Sequence, residues 1–127
     1  MDSRWSDHKD ARMRPVGVHH VSINVPDVDA GVAFYTATLG GVLRHDRPSL
    51  GFDGAWINVG SQQVHLLAGA VAPDIGQHFA IQVDGLDAAI EELRAKGVDV
   101  SDAAGIGSGR QAFLHDPAGN LVELHEV

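Results

Sequence analysis

The sequence predicts an α+β fold of two βαβββ modules that form a curved, cup-shaped mixed sheet with helices on its outer face. The first observation behind this prediction is an internal repeat, in which HHVSINVPDVDAGVAFY aligns with QHFAIQVDGLDAAIEEL at an offset of 58 residues. The second is that both copies pass from strand-like alternation to helical spacing of their apolar residues. A chain of 127 residues has the length of one domain with one core.

The opening segment of each copy has the alternation of a half-buried strand. In the first copy the apolar residues share one face and the polar residues share the other, namely Val21, Ile23 and Val25 against His20, Ser22 and Asn24. Helical spacing follows over residues 28–39 in the first copy and over residues 86–93 in the second. Asp29 and Asp87 are predicted to cap these helices, because a carboxylate can accept the free amides of a first helical turn.

Shorter strand-like runs follow each helix and complete the modules. They lie around residues 42–43, 55–59 and 63–67 in the first copy and around residues 98–100, 111–114 and 121–124 in the second. The DPAGN segment at 116–120 predicts a turn that closes the last hairpin. The predicted organisation is therefore a flexible extension at 1–15, a first module at about 16–68, a linker at 69–77 and a second module at about 78–127.

Composition and charge exclude several classes of function. The chain has 17 acidic and 9 basic side chains, a formal charge of −8 and no Lys/Arg cluster, which disfavours nucleic acid as a partner. It contains no cysteine, so thiolate metal sites and thiol nucleophiles are excluded. No apolar run has the length of a signal peptide or a membrane span, so we expect a cytoplasmic protein without a membrane partner. Exposed strand edges lead us to expect a homodimer.

The repeat also relates polar residues that the fold alone does not require. His20 corresponds to His78, and His65 lies 58 positions before Glu123, which is the same offset. The alternation of QQVHLL and NLVELHEV places His65 and Glu123 on the face opposite the helices. Three imidazoles and one carboxylate suit Zn²⁺, Ni²⁺, Co²⁺, Mn²⁺ or Fe²⁺, whereas Ca²⁺ and Mg²⁺ prefer oxygen ligands. We therefore predict a divalent metal site formed by His20, His65, His78 and Glu123.

Other side chains on the same predicted face are candidates for contact with a small-molecule substrate. Trp56 and Asn58 alternate with apolar neighbours and are predicted to line the pocket, together with Asn24 and Gln82. His125 shares a face with Glu123, where it could either orient that carboxylate or lie in solvent.

Five segments carry a resemblance to a known family. HHVSINV, FYTATLG, HFAIQV, LDAAIEELRAKGV and DPAGNLVEL resemble the landmarks of the vicinal oxygen chelate superfamily, and the resemblance covers residues 17–127. That superfamily includes glyoxalase I, methylmalonyl-CoA epimerase, fosfomycin-resistance thiol transferases, extradiol dioxygenases and bleomycin-binding proteins. The resemblance therefore implies a scaffold and does not specify a substrate.

By position, the resemblance implies that His20 and His78 are first-strand ligands and that Glu123 is the final-strand carboxylate. His65 stands where glyoxalase I commonly has Glu and the epimerases commonly have Gln, so only one ligand is acidic. The implied function is a metal-dependent glyoxalase-like lyase or isomerase that acts on a small oxygen-rich metabolite, with Glu123 as the catalytic base. Two alternatives stay open, namely a metal-free drug- or metabolite-binding protein of the bleomycin-resistance type and an Fe(II) extradiol-type dioxygenase.

Overall fold

Each half of the chain forms a βαβββ unit in the computed structural model, which describes residues 12–127. The first unit consists of β1 (His20–Val25), α1 (Val28–Ala33), a π-helical turn (Phe34–Thr38), β2 (Val42–Leu43), β3 (Gly54–Val59) and β4 (Gln62–Ala68). The second consists of β5 (Phe79–Gln82), α2 (Leu86–Ala95), β6 (Ala104–Ile106), β7 (Gly109–His115) and β8 (Leu121–Glu126). The predicted fold class is thereby confirmed.

The two units have the same sheet topology. The strand orders are β1-β4-β3-β2 and β5-β8-β7-β6, and in each sheet the first pair is parallel while the other pairs are antiparallel. The chain therefore builds its mixed sheet as two four-stranded halves. The parallel strands β1 and β5 lie at one edge of their respective halves.

One face of each half packs on its helix, as the alternation predicts. The inward residues of β3 and β4, which include Ile57, Val64 and Leu66, are almost completely buried. The same holds in the second half for Ala112 and Leu124. Burial of these apolar side chains is the main stabilising contribution to the fold, and it leaves the opposite face of each sheet available for polar side chains.

The helix caps and one strand differ from the sequence prediction. The cap of α1 is Asp27, whose carboxylate accepts a hydrogen bond from the Ala30 amide, so Asp29 lies in the first turn instead. At α2 the Leu86 amide donates to the carboxylate of Glu126 on β8, while Asp87 is paired with Arg110. The predicted and the observed carboxylates all lie near the start of a helix, where negative charge is favourable. Spacing along the chain therefore does not show which of them accepts the first-turn amides.

The predicted strand at 98–100 is also wrong, because the strand of that hairpin is β6 at Ala104–Ile106. Val100 is buried in the core, and its carbonyl oxygen accepts hydrogen bonds from Arg94. The carbonyl oxygen of Val100 is bonded by a side chain, and the strand-like composition of residues 98–100 reflects burial.

The prediction of a flexible extension at 1–15 falls mostly on residues outside the described part of the chain. Within residues 12–127, no helix is both long enough and apolar enough to cross a membrane.

Candidate functional site

The face of the first module opposite α1 brings two predicted ligands into contact. Strands β1 and β4 pair in parallel with Ser22 opposite His65, so His20 lies one step along the same face. The imidazole rings of His20 and His65 stack with their centroids 3.9 Å apart. Trp56, directly opposite His65 on β3, stacks on the other side of the His65 ring with a centroid distance of 4.8 Å.

The environment of His65 favours its neutral form. Its Nε2 lies 2.8 Å from the Oε1 of Gln63, and the amide oxygen can only accept, so Nε2 carries the proton and Nδ1 has the free lone pair. Burial lowers the pKa of His65, and the nearby positive charges of His20, His19, Arg44 and Arg47 lower it further. A neutral imidazole with one nitrogen anchored and the other available is the form that binds metals.

The corresponding face of the second module brings the other two predicted ligands together. His78 lies immediately before β5, and its Nε2 is 3.0 Å from the Oε1 of Glu123 on β8. Phe113, opposite Glu123 on β7, meets the His78 ring edge to face at a centroid distance of 5.3 Å. Each module therefore places side by side a histidine at or just before the start of its first strand, a donor on its fourth strand and an aromatic ring on its third strand.

Hydrogen bonds hold both members of the second pair in place. The Nδ1 of His78 donates to the carbonyl oxygen of Gly76 at 2.8 Å, which directs Nε2 towards Glu123. That bond, followed by the interaction with Glu123, raises the pKa of His78. The second carboxylate oxygen of Glu123 lies 2.9 Å from the Nδ1 of His125. Glu123 is buried, and its carboxylate lies between the imidazoles of His78 and His125.

The four predicted ligands thus form two pairs, His20 with His65 and His78 with Glu123. In the part of the chain from residue 12 onwards, no three His, Cys, Asp or Glu side chains are grouped so as to hold a metal ion. Convergence of all four donors on one ion within a single chain is therefore not seen, although the repeat correctly predicted which residues share each face.

The donor chemistry of each pair fits a divalent cation. In the first pair the anchored Nε2 of His65 leaves Nδ1 free, and in the second the anchored Nδ1 of His78 leaves Nε2 facing a carboxylate oxygen. A metal ion can take the place of the proton between His78 and Glu123, since the same atoms are metal ligands when deprotonated. His125 is hydrogen-bonded to the other carboxylate oxygen of Glu123. This contact favours an orienting role for His125 over a position in solvent.

The four predicted substrate-binding residues differ in their surroundings. Trp56 contacts His65, and the side-chain oxygen of Asn58 accepts a hydrogen bond from Arg44 at 3.1 Å. Asn24 donates to the carbonyl oxygen of Ala70 and borders a cleft of about 360 Å³ beside His78. Gln82 is exposed and borders a cleft of about 560 Å³ that also includes His20. Their contact with a substrate remains a prediction.

Three residues at these faces are not among the predicted site residues, namely Phe113, Arg44 and Arg47. The repeat does not find Phe113, because its offset of 58 residues places Trp56 over Leu114, but alternation does, since Phe113 lies between the apolar residues Ala112 and Leu114. The two arginines belong to residues 44–53, which have no counterpart in the repeat, so only the structure brings them to this face.

Comparison with known proteins gives a consistent result. The family model described as Glyoxalase/Bleomycin resistance protein/Dioxygenase superfamily matches residues 17–124. "Probable lactoylglutathione lyase, chloroplastic" of Arabidopsis thaliana is 34% identical, and the match covers 84% of this chain and 35% of that protein. The chain thus spans about a third of the length of that relative. Mitochondrial methylmalonyl-CoA epimerase of Homo sapiens is 32% identical, and the match covers 87% of this chain and 73% of the epimerase.

Among solved structures, a glyoxalase family protein from Bacillus anthracis superimposes with a TM-score of 0.83 and 27% sequence identity. The match covers 91% of this chain and 98% of that one. The likeness therefore extends over both modules and the segment that joins them.

Proposed function

Because the chain belongs to the Glyoxalase/Bleomycin resistance protein/Dioxygenase superfamily, we propose that it is a metal-dependent lyase or isomerase that transfers a proton on a small oxygen-rich metabolite. Its relatives include proteins named as a lactoylglutathione lyase and a methylmalonyl-CoA epimerase. An epimerase inverts a stereocentre, which without redox chemistry requires a proton to be removed from carbon and returned. The metal and the substrate belong to the proposal.

The observation that carries the proposal is the repeated pair of donors on the two sheets. Residues that only packed the fold would not need a metal-competent side chain at the same position in both modules. Here an imidazole at or just before the start of each first strand contacts a second donor on the fourth strand of the same module. In each module the contact lies on the face that the helix leaves uncovered.

Two donors are too few for a stable site, since protein-bound Zn²⁺ takes three or four protein ligands. We propose that a second copy of the chain supplies the missing pair. A twofold dimer is self-complementary, so His20 and His65 of one chain would meet His78 and Glu123 of the other, and the same contact would occur twice. The edge strands β1 and β5 adjoin these pairs and have a free hydrogen-bonding side within the described sheets.

In this proposal the chain's own residues have separate tasks. His20, His65, His78 and Glu123 would hold the metal, which would supply Lewis-acid stabilisation of developing negative charge on a substrate oxygen. Glu123 takes the proton from the substrate carbon, because it is the only carboxylate among the four and has an oxygen oriented by His125. Trp56 and Phe113 provide apolar walls that limit access of water beside the donors.

Metal binding is the first test. We expect metal-free protein titrated with Co²⁺ to bind one ion per chain and to show the visible absorption of a low-symmetry site. His65→Ala and His78→Ala should each weaken binding by at least about 100-fold, because loss of a ligand costs more than loss of a group that orients one. Isothermal titration calorimetry measures the affinity, and the cobalt spectrum reports the coordination.

The matched control is His115→Ala, since that imidazole is held by Asp74 and belongs to neither pair. It should bind Co²⁺ as the unsubstituted protein does. If the protein binds no Co²⁺, or if His65→Ala and His78→Ala bind it as tightly as His115→Ala does, the metal proposal is wrong.

Chain mixing tests whether the site is shared between copies. One variant carries His20→Ala and His65→Ala, and the other carries His78→Ala and Glu123→Ala. Neither should bind Co²⁺ by itself, whereas a co-refolded heterodimer should regain one ion per dimer, about half the normal content, because one of its two sites receives all four donors. Recovery of no metal in purified heterodimer would show that each chain forms its own site.

A further inference from the structure

Residues 44–53, which connect β2 and β3, carry arginine side chains to the face on which His65 and Trp56 lie. Arg44 donates to the side-chain oxygen of Asn58 at 3.1 Å, two residues beyond Trp56 on β3. Arg47 lies at the other end of the strand, over Gly54, two residues before Trp56. Alternation puts residues 54, 56 and 58 on one face, so the two arginines flank the Trp56–His65 contact.

The glycine at position 54 makes room for Arg47. A Cβ atom on Gly54 would come within 2.9 Å of the Nη2 of Arg47 and would also clash with the carbonyl oxygen of Leu66. The guanidinium group is held from the other side by Phe52, whose carbonyl oxygen accepts a hydrogen bond from Nη2 at 3.0 Å and whose ring lies 5.2 Å from Cζ. Arg47 is therefore a half-buried cation in a defined position.

The two arginines differ in how their charge is balanced. Arg44 forms two hydrogen bonds with the carboxylate of Asp46, at 3.0 and 2.6 Å, so its charge is compensated locally. Within residues 12–127, no carboxylate forms an ion pair with Arg47. Phe52 engages one of its five N–H donors, which leaves a planar set of donors for another group.

We propose that Arg47 binds a carboxylate group of the substrate and thereby selects anionic substrates for the site beside His65. This inference rests on the proposed function, since it assigns the substrate class of that same site. The guanidinium fork matches a carboxylate in a bidentate arrangement that an amide or a hydroxyl group cannot reproduce.

Because the chain as a whole is negatively charged, a substrate with a carboxylate group needs a positively charged side chain at the site. At −8 the protein repels anions at long range, and Glu123 adds a negative charge to the other half of the site. Arg47 offsets this repulsion at the Gly54 end of β3. The reacting atoms of the substrate would lie nearer the metal ligands, with the carboxylate anchored along the strand.

A pair of probes that differ in one group tests the proposal. 2-Oxoglutarate and its 5-methyl ester share the same 2-oxo acid end, but the distal carboxylate of the first is a neutral ester in the second. We expect the unsubstituted protein to bind 2-oxoglutarate about 10-fold more tightly, the ratio that one charge-assisted hydrogen bond supplies. Calorimetric titrations should be run with the Zn²⁺-loaded protein and with the metal-free protein.

Arg47→Gln should reduce this preference to about 1, and Arg47→Lys should retain part of it because the charge remains while the fork is lost. The control Lys96→Gln also removes one positive charge, but from the residue that follows α2, where Nζ contacts the carbonyl oxygens of Ala37 and Thr38, and it should keep the full preference. Circular dichroism melting curves check that each variant folds.

Either of two results would overturn the assignment, namely an unsubstituted protein that does not bind 2-oxoglutarate more tightly than its 5-methyl ester, or an Arg47→Gln variant that keeps the preference. If the metal proposal is wrong and the Arg47 assignment is right, the result is different. The preference for 2-oxoglutarate then depends on Arg47 but is the same with and without Zn²⁺.

Discussion

Replacing Glu123 by Gln should lower the rate of proton exchange by about 10²–10⁴-fold while leaving the fold intact, because the amide cannot take a proton from carbon. Gln occupies nearly the same volume, and its oxygen can still accept a hydrogen bond from His78 or His125. The measurement is incorporation of deuterium from D₂O into lactoylglutathione and methylmalonyl-CoA, followed by NMR at saturating Zn²⁺. Metal content is determined in the same samples, which separates a lost base from a lost ligand.

The control for this prediction is Glu126→Gln, a substitution of the same type three residues further along β8. Glu126 accepts the Leu86 amide at the start of α2 and pairs with Arg110, so it belongs to neither donor pair. Its variant should exchange deuterium at close to the normal rate. Normal exchange in Glu123→Gln would remove Glu123 from the role of base, and absence of exchange with both compounds in the Zn²⁺-loaded unsubstituted protein would contradict proton transfer on them.

The repeat made a large part of this site predictable. Alternation predicts the face on which a residue lies, and the shared offset of 58 residues singles out His20, His65, His78 and Glu123 as candidate ligands, a role that stays a prediction. The observed contacts between His20 and His65 and between His78 and Glu123 confirm that each pair shares a face. Periodicity places residues within a module, because it follows directly from backbone geometry.

The rest depends on contacts between segments distant in sequence. The approach of one donor pair to the other is set by module packing or by a second chain, and strand periodicity contains neither. Arg47 reaches the site through a connection without periodicity, where only its contacts with Gly54 and Phe52 reveal its position. Likewise, the carboxylate that binds the first amide of α2 comes from Glu126, 40 residues further along the chain.

The helical pattern predicts that Tyr35 is buried, but it does not predict the hydrogen bond of its hydroxyl group. Its place on the apolar stripe predicted burial, and the side chain is fully buried. Its hydroxyl group also donates to the Oδ2 of Asp116 at 2.8 Å, which connects the π-helical turn of the first module to the β7–β8 turn of the second. Burial, followed by the negative charge of Asp116, raises the pKa of Tyr35 well above its usual value, so the hydroxyl stays protonated as a donor.

Asp116→Ala should therefore lower the free energy of unfolding by about 3 kcal/mol or more, with a drop in Tm of about 10 °C. The carboxylate is 4% exposed and accepts four hydrogen bonds, from the Tyr35 hydroxyl, the backbone amides of Ala118 and Asn120, and the Asn120 side chain. Urea unfolding followed by circular dichroism measures the change.

Tyr35→Phe is the matched comparison, since it removes only the donor between the modules and should cost about 1–2 kcal/mol, leaving the three turn contacts of Asp116 in place. The double variant should be less destabilised than the sum of the single variants, because removing the Tyr35 hydroxyl together with the carboxylate leaves no buried hydroxyl group without an acceptor. Strictly additive losses would mean that the two side chains stabilise the fold independently, and that this hydrogen bond does not couple the two modules.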